Sequence, residues 1–344
     1  MISAGSEFNF RDSSQDYILK SYIDILGLLL SRDVAIEIIN FTKKFGNFTA
    51  VKNLNLNIYD KEIFGLLGPN GSGKSTTLLT IATVYKPTEG DIRVYGKSVV
   101  RESDEVRRYV GIAFQEPKAM WIDKPIEILT WHARVVGYGL FDARRVVREI
   151  MERLDLWEYR NKMFSELSGG SRKKVEIAKI LIQRPRVAIF DEPTAQLDVI
   201  AKHNVWRAIK ELSQEGSTVI VATNEMYEAE VLSQRIGIIY KGELRGLGTP
   251  SELKDKIPGG DIIEAEIEGV INENVSRILI EKLEAYRIDV NNGKLRIYVN
   301  KGEEKIVPVL NILSNSGIKV KMITMKEPSL DDVFMYFTGA RLGD

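Results

Sequence analysis

The chain contains no cysteine and has no excess of charge of either sign. Without cysteine there is no disulfide framework, no thiolate metal site and no cysteine nucleophile. A reducing cytoplasm is the simplest setting for such a composition. Lysine plus arginine equals aspartate plus glutamate at 48 each, so no net field attracts nucleic acid. We therefore expect no nucleic-acid partner.

Long hydrophobic runs are also missing. The strongest early run, Ile25-Leu26-Gly27-Leu28-Leu29-Leu30, is far shorter than the ~18 apolar residues of a membrane span. The chain is therefore not expected to cross a bilayer by itself. Residues 1–33 lack the basic start of a secretory signal, and we predict either a poorly ordered extension or one amphipathic helix that touches a membrane or a partner.

A glycine-rich turn lies between an apolar run and a helix-compatible segment at residues 63–79. Gly68 followed by Gly73-Lys74-Ser75 fits the P-loop pattern, in which glycines leave backbone N–H groups free to wrap phosphates at a helix N-terminus. The pattern therefore predicts a nucleotide site. Its loop residues are Gly68, Pro69, Asn70, Gly71, Ser72, Gly73, Lys74, Ser75 and Thr76.

Three side chains of this loop have expected roles. The ammonium of Lys74 is expected to reach the outer phosphates, and the hydroxyl of Ser75 to bind a magnesium ion that bridges them. Thr76 adds a further phosphate contact. The alternative is a glycine-rich loop with a surface lysine.

Apolar patterning predicts an α/β fold around this loop. Residues 34–58 alternate between apolar and polar, which predicts strands that pair antiparallel beside the core. The continuous apolar runs at residues 187–190 and 218–222 indicate parallel strands buried on both faces. Residues 126–156 predict two or three amphipathic helices. The basic run Arg172-Lys173-Lys174 is interpreted as a solvated helix face.

A linker signal, Pro258-Gly259-Gly260, separates a C-terminal unit. Beyond it the pattern predicts the order β-α-β-β-α-β, which is ferredoxin-like, with a hairpin around Asn291-Asn292-Gly293 and a last helix over residues 329–337. The predicted boundaries are 1–33 for the extension, 34–257 for the P-loop domain with a helical subdomain at about 116–167, and 258–344 for the C-terminal domain.

Four further elements follow the P-loop in a fixed order. They are Gln115 after a strand, Leu167-Ser168-Gly169-Gly170 at the start of a helix, Asp191-Glu192 after four apolar residues, and Leu197-Asp198. Together with the P-loop, they resemble the ABC-transporter ATPase domain. The resemblance implies a mostly parallel core sheet, an antiparallel β-subdomain and an inserted helical subdomain.

The C-terminal stretch narrows the resemblance. Residues 327–334, Glu-Pro-Ser-Leu-Asp-Asp-Val-Phe, followed by Thr338-Gly339, look like the end of daunorubicin-type and multidrug or polysaccharide exporter ATPases. This implies an exporter ATPase that pairs with a separate transmembrane permease.

The resemblance to ABC ATPases implies roles for four side chains. Asp191 is expected to hold the magnesium through water, and Glu192 to orient and deprotonate the attacking water. Gln115 is expected to ligate the metal at the hinge of the helical subdomain that presses on the permease. Phe45 is expected to stack on the purine of ATP. The alternatives are a helix cap for the two carboxylates and a lid on a small core for Phe45.

Ser168-Gly169-Gly170 combines free N–H groups, a helix dipole and a hydroxyl, which suits an anion. The resemblance implies that this cradle closes on the phosphate of another subunit. The dimer, a homodimer or a heterodimer with another ABC ATPase, then holds two ATP molecules head to tail, with Asp198 at the seam. The alternative for the cradle residues is a helix cap.

Two positions depart from the family pattern. Ser171 stands where glutamine is usual, and Asn224 stands where a histidine usually contacts the terminal phosphate. Asparagine donates a hydrogen bond but cannot carry charge or shuttle a proton.

The favoured hypothesis is an ATP-binding and ATP-hydrolysing exporter subunit with ATP and Mg²⁺ as cofactors. Dimer closure drives a separate permease, and the chain sits on the inner face of the cell membrane through that permease. Asn224 keeps one alternative open, namely a soluble ABC protein or slow half of a heterodimer that uses ATP as a clamp with weak hydrolysis.

Overall fold

The structure, a computed structural model, describes residues 33–116, 120–291 and 293–339. The extension predicted over residues 1–33 lies outside this part except for Asp33. Residues 117–119 of the predicted helical subdomain and Asn292 of the predicted hairpin also lie outside it. Within the described part, no helix is both long and apolar enough to span a membrane.

The described residues form fourteen strands and eleven α-helices. The strands are β1 Val34–Phe45, β2 Phe48–Tyr59, β3 Ile63–Leu67, β4 Glu89–Val94, β5 Lys97–Ser98, β6 Val110–Ala113, β7 Val187–Asp191, β8 Thr218–Thr223, β9 Arg235–Tyr240, β10 Glu243–Gly248, β11 Asp261–Glu268, β12 Arg287–Asn291, β13 Lys294–Val299 and β14 Lys319–Lys326. The helices are α1 Lys74–Ile81, α2 Ser103–Tyr109, α3 Pro125–Val135, α4 Leu140–Arg153, α5 Gly169–Gln183, α6 Val199–Gln214, α7 Met226–Leu232, α8 Pro250–Lys254, α9 Glu273–Leu283, α10 Gly302–Asn315 and α11 Leu330–Thr338.

The central sheet has the strand order β10-β9-β3-β8-β7-β6. All neighbouring pairs are parallel except β9 with β10, which form an antiparallel hairpin. Every residue of β3, β7 and β8 is buried, as their continuous apolar sequences indicated. The carboxyl ends of these parallel strands lie on one edge, where open α/β sheets bind ligands.

Two apolar clusters enclose the central sheet. Along β8, Val219 and Val221 pack with residues of the helical segments α3 to α6, whereas Ile220 and Ala222 pack with β1 and α1. This alternation follows from the two-residue period of a strand. A second sheet, with the order β2-β1-β4-β5, is antiparallel as predicted.

The C-terminal sheet has the order β12-β13-β11-β14, and all its neighbouring pairs are antiparallel. This topology, with α9 and α10 as the connecting helices, confirms the predicted ferredoxin-like arrangement. One face of the sheet buries apolar side chains against the two helices, among them Ile263, Leu295, Leu279 and Leu313.

Helix α11 belongs by sequence to the predicted C-terminal unit, but it packs against residues of the P-loop unit. Its residues Leu330, Val333 and Phe334 are fully buried in an apolar cluster that includes Leu253 and other residues of the P-loop unit. The ring of Phe334 contacts the ring of Tyr240 edge-on, with centroids 5.9 Å apart. The two units therefore share a core, and the boundary at residues 257–258 remains a prediction.

The shared core generates a stability prediction. Phe334→Ala removes a large, fully buried side chain, and we expect it to lower the free energy of unfolding by about 3–5 kcal/mol. Tyr336→Ala, on the exposed side of the same helix, is the matched control and is expected to cost about 1 kcal/mol or less. Denaturant melts of both variants give the comparison, and equal losses would show that α11 does not depend on this contact.

Candidate active site

The glycine-rich loop joins β3 to α1. A Cβ at Gly68 would lie 2.2 Å from the carbonyl oxygen of Ile239, so only glycine fits there without a backbone shift. Gly73 caps α1 with φ of 107°, a left-handed conformation that glycine adopts without strain. The N–H of Gly68 donates to the carbonyl of Thr223 at the end of β8 (3.3 Å). The loop is thus fixed to the carboxyl edge of the central sheet.

Lys74 lies beneath this loop and is only 4% exposed. Its Nζ donates to the carbonyl oxygens of Gly68 (2.7 Å) and Pro69 (3.0 Å). Burial lowers the pKa of Lys74, while the nearby carboxylates of Glu192 and Asp191 raise it. The ammonium is therefore held at the loop by oxygen acceptors, and a surface lysine is excluded.

A pocket of about 440 Å³ opens over the loop and α1. Ligand sites in proteins commonly have such volumes. Of the predicted site residues, the pocket is lined by Phe45, Asn70, Gly71, Gly73, Lys74, Ser75, Thr76, Gln115 and Glu192. Phe48 and Ala50 line it as well, and the sequence analysis missed both because they sit in an ordinary strand.

Phe45 stands at the wall of this pocket at the end of β1. It packs edge-on against Tyr85 with ring centroids 5.3 Å apart, and Lys43 Nζ lies 4.9 Å from its centroid. The residue as a whole is still 43% exposed. Stacking on a purine remains the prediction for Phe45.

Asp191 ends β7 beside the P-loop and is buried. Burial raises the pKa of Asp191, while a hydrogen bond from the Ser75 hydroxyl and the charges of Lys173 and Lys74 lower it. Within the described residues, Asp191 Oδ1 has no hydrogen-bond partner. A buried, unpartnered carboxylate oxygen beside a hydroxyl fits Mg²⁺, which proteins often bind with one or two carboxylates plus phosphates. The described residues hold no larger cluster of metal-binding side chains.

Glu192 faces Gln115 across the pocket, with Gln115 Nε2 donating to Glu192 Oε2 at 3.0 Å. The backbone of Glu192 is left-handed, with φ of 49°, and its N–H donates to the carbonyl of Ala222 (2.8 Å). A non-glycine residue in this conformation costs about 1–3 kcal/mol and is common where function requires it. Neither Asp191 nor Glu192 caps a helix, because Asp198 caps the following helix.

Ser168 is the N-cap of α5, and its Oγ accepts from the N–H of Ser171 at 3.2 Å. The helix-cap alternative therefore describes its contact within this chain. The cradle of Ser168, Gly169 and Gly170 does not line the pocket formed by the described residues around the P-loop. A phosphate at the cradle remains a prediction.

Of the other predicted site residues, Asp198 and Asn224 do not line the pocket, and neither do Gly68, Pro69, Ser72 and Asp191. Asp198 accepts from the N–H of Ala201 (2.8 Å) as the N-cap of α6. Asn224 is partly buried directly after β8 and does not line the pocket in the described structure. Their roles at a dimer seam and at the terminal phosphate remain predictions.

The basic run Arg172-Lys173-Lys174 at the start of α5 was predicted to be a solvated helix face, and the structure contradicts this for two of its residues. Lys173 is only 4% exposed, and its Nζ donates to backbone carbonyls rather than to solvent. Arg172 donates to the carbonyls of Phe164 (3.1 Å) and Ser165 (2.7 Å). The interpretation as a solvated face was wrong for both residues, because these two side chains cross-link adjoining loops.

A buried carboxylate that sequence patterns did not reveal lies on α7. Glu228 accepts from Thr194 Oγ1 (2.7 Å) and from Trp206 Nε1 (2.9 Å). It thus connects the segment after Glu192 to α6 and α7. The sequence around Glu228 reads as an ordinary amphipathic helix, so no pattern indicated that this carboxylate is buried.

Comparison with known proteins identifies two matched regions. Residues 51–195 match the family "ABC transporter", and residues 248–338 match "ATP-binding protein DrrA1-3-like, C-terminal domain". The daunorubicin resistance ATP-binding protein DrrA3 of Streptomyces coeruleorubidus is 31% identical over 89% of this chain and 96% of its own. The linearmycin resistance ATP-binding protein LnrL of Bacillus subtilis (strain 168) is 30% identical, over 89% and 98%.

A relative with a different cargo and a solved structure complete the comparison. The Nod factor export ATP-binding protein I of Rhizobium etli is 30% identical, over 90% of this chain and 94% of its own. The dimeric structure of MJ0796, a bacterial ABC transporter cassette, is 30% identical with a TM-score of 0.58, and the match covers 62% of this chain and 98% of that one.

Lys74 provides the direct test of nucleotide binding. Lys74→Met removes a charge-assisted contact to phosphate, and we expect the affinity for ATP to fall about 10- to 100-fold. Lys210→Met, on the exposed side of α6, is the control and should leave the affinity unchanged. Titration with a fluorescent ATP analogue measures both, and an affinity of Lys74→Met within twofold of the unsubstituted protein would contradict the role.

Proposed function

The chain belongs to the ABC transporter family of ATP-binding proteins, and we propose that it is the ATPase subunit of an exporter that drives a separate membrane permease. The resemblance drawn from its motifs is confirmed by relatives that match nearly its whole length. ABC ATP-binding subunits hydrolyse ATP, and the related MJ0796 has been solved in a post-hydrolysis state with ADP and Pi. The protein is therefore an ATPase.

One observation carries the proposed chemistry, namely that Glu192 and Gln115 meet at 3.0 Å in the same pocket as the P-loop. A carboxylate at this place is within reach of a water that attacks the outermost phosphate bound at the loop. We assign Glu192 as the base that orients the water and takes its proton. Lys74 and the loop N–H groups bind and orient the phosphates.

Asp191, Ser75 and Gln115 are proposed to hold the Mg²⁺ ion. The unpartnered Oδ1 of buried Asp191 and the adjacent Ser75 hydroxyl support this assignment. When it is bound together with ATP, the ion would neutralise negative charge on the phosphates. Gln115 also restrains Glu192 through its hydrogen bond.

The proposed assembly is a dimer in which the cradle of one chain closes on the nucleotide of the other. Support comes from the cradle residues, which present a helix N-terminus away from their own pocket. Val199 and Ile200, directly after Asp198, are two adjacent apolar side chains that are largely exposed. Covering them in a dimer seam would remove apolar surface from water.

A permease surface is proposed on the helical subdomain. Its support is a group of large apolar side chains that are all more than half exposed in residues 120–141, namely Met120, Trp121, Ile122, Trp131, Val135 and Phe141. Exposed apolar groups of this kind mark interaction sites. Binding there would hold the protein on the inner face of the cell membrane. The export direction rests on the relatives, whose names include drug resistance and Nod factor export.

Hydrolysis can be separated from binding at Glu192. Glu192→Gln keeps the size of the side chain and one acceptor oxygen but removes the base, so we expect turnover to fall about a hundredfold or more. ATP affinity should stay within about threefold of the unsubstituted value. Glu215→Gln, an exposed position at the end of α6, is the control. Phosphate release by Glu192→Gln at the unsubstituted rate would remove Glu192 from the mechanism.

The clamp alternative depends on Asn224, and variants at this position test its part in hydrolysis. If residue 224 only donates a hydrogen bond to phosphate, Asn224→His should change turnover no more than a few-fold, whereas Asn224→Ala should slow it about tenfold or more. We expect this result, with ATP affinity unchanged in both variants. An Asn224→Ala protein as fast as the unsubstituted one would remove residue 224 from catalysis. Negligible phosphate release by the unsubstituted protein would favour the clamp.

A further inference from the structure

The ammonium group of Lys173 lies at a junction of three segments. Its Nζ donates to the carbonyl oxygens of Phe114 (3.1 Å), Gln115 (3.1 Å) and Asp191 (2.7 Å). A lysine has three N–H donors, so these three bonds satisfy the group completely. Phe114 and Gln115 follow β6, and Asp191 ends β7. The side chain therefore joins the carboxyl ends of two neighbouring strands from the first turns of α5.

Burying the charge of Lys173 is unfavourable, and its hydrogen bonds to carbonyl oxygens offset this. Transferring an ammonium out of water is strongly unfavourable unless its N–H donors are satisfied. A neutral apolar side chain would avoid that cost but would leave three carbonyl oxygens without their donor. Adjacent strands of a parallel sheet are already aligned by their own hydrogen bonds, so the strands do not need the bridge. The bridge instead fixes the loops that leave them.

Helix α5 also contacts the other end of the segment that starts at Asp191. A Cβ at Gly169 would lie 2.4 Å from Oε1 of Gln196, and one at Gly170 would lie 3.0 Å from Leu197 Cδ2. The first two turns of α5 thus hold segment 191–198 at its beginning through Lys173 and near its end through the glycines. The segment carries the carboxylates of the proposed site, and two of its residues have strained left-handed backbones.

We propose that Lys173 is a positioning residue, which ties the Gln115 loop to the end of β7 and so sets the spacing of Gln115 and Asp191 for Mg²⁺. The assignment rests on the proposed function, in which these two residues hold the ion. Lys173 does not line the pocket over the P-loop. It acts through main-chain atoms of the two ligand residues, as outer groups of metal sites do, and loss of such groups typically costs 10- to 100-fold in metal affinity.

The test uses the full-length protein and measures Mg²⁺ and nucleotide binding separately from turnover. A fluorescent ATP analogue is titrated in EDTA, and Mg²⁺ is then titrated at fixed nucleotide. For Lys173→Met we expect the affinity in EDTA to stay within about twofold, while the Mg²⁺ concentration for half-maximal response rises about tenfold. Lys173→Gln, which keeps two N–H donors, should give an intermediate value.

Lys174→Met is the matched control, because Lys174 is the next residue of α5 and has Asp155 at 4.0 Å as its ion-pair partner. It should show the unsubstituted Mg²⁺ response. A folded Lys173→Met protein whose Mg²⁺ half-saturation stays within twofold of the unsubstituted value overturns the assignment. If Lys173→Met has no cooperative thermal transition, Lys173→Gln decides by the same threshold. An unsubstituted protein that binds no ATP analogue with Mg²⁺ overturns the proposed function itself.

Discussion

Parallel pairing of β3 with β8, and of β8 with β7, is the constraint on which the rest of the site depends. The register places Leu67 level with Thr223, and Asp191 level with Ala222. The P-loop and the two carboxylates therefore leave the sheet at the same height, although they are far apart in sequence. Because all three strands are buried on both faces, a slip of one residue would reverse every side chain between two filled cores. The site inherits its precision from the packing of the sheet.

Buried polar side chains at the carboxyl edge of the central sheet depend on the apolar packing of the sheet. Lys74, Lys173, Asp191 and Glu228 are all buried. Their partners lie in the segments that follow the strands and in helices α1 and α6. The apolar clusters on the two faces of the sheet supply the free energy that keeps these groups out of water. Removing one partner would leave a buried charge uncompensated, which is why the edge behaves as one unit.

Sequence patterns predicted the features that a local rule governs. Continuous apolar runs gave the buried parallel strands, glycine spacing gave the loop, and the alternation of strand and helix signals gave the C-terminal topology. The burial of Lys173 was not predicted, because a basic run at the start of a helix has the same sequence pattern whether it faces water or a cluster of carbonyl groups. The position of α11 escaped for a related reason, since an apolar stripe predicts burial but does not specify which core receives it.

The two departures from the family pattern differ in physical kind. Ser171 stays inside the first turn of α5, where its N–H and its hydroxyl both meet the Ser168 hydroxyl, so the serine reinforces the cap that forms the cradle. Asn224 has no such local compensation, because it follows β8 outside any helix and its amide can offer a donor but no charge. The cap geometry accommodates Ser171, whereas Asn224 removes a charge-capable side chain from a position that is proposed to contact the terminal phosphate. If residue 224 contacts the phosphate as proposed, we expect the balance between hydrolysis and clamping to be set at the end of β8 and not at the cradle.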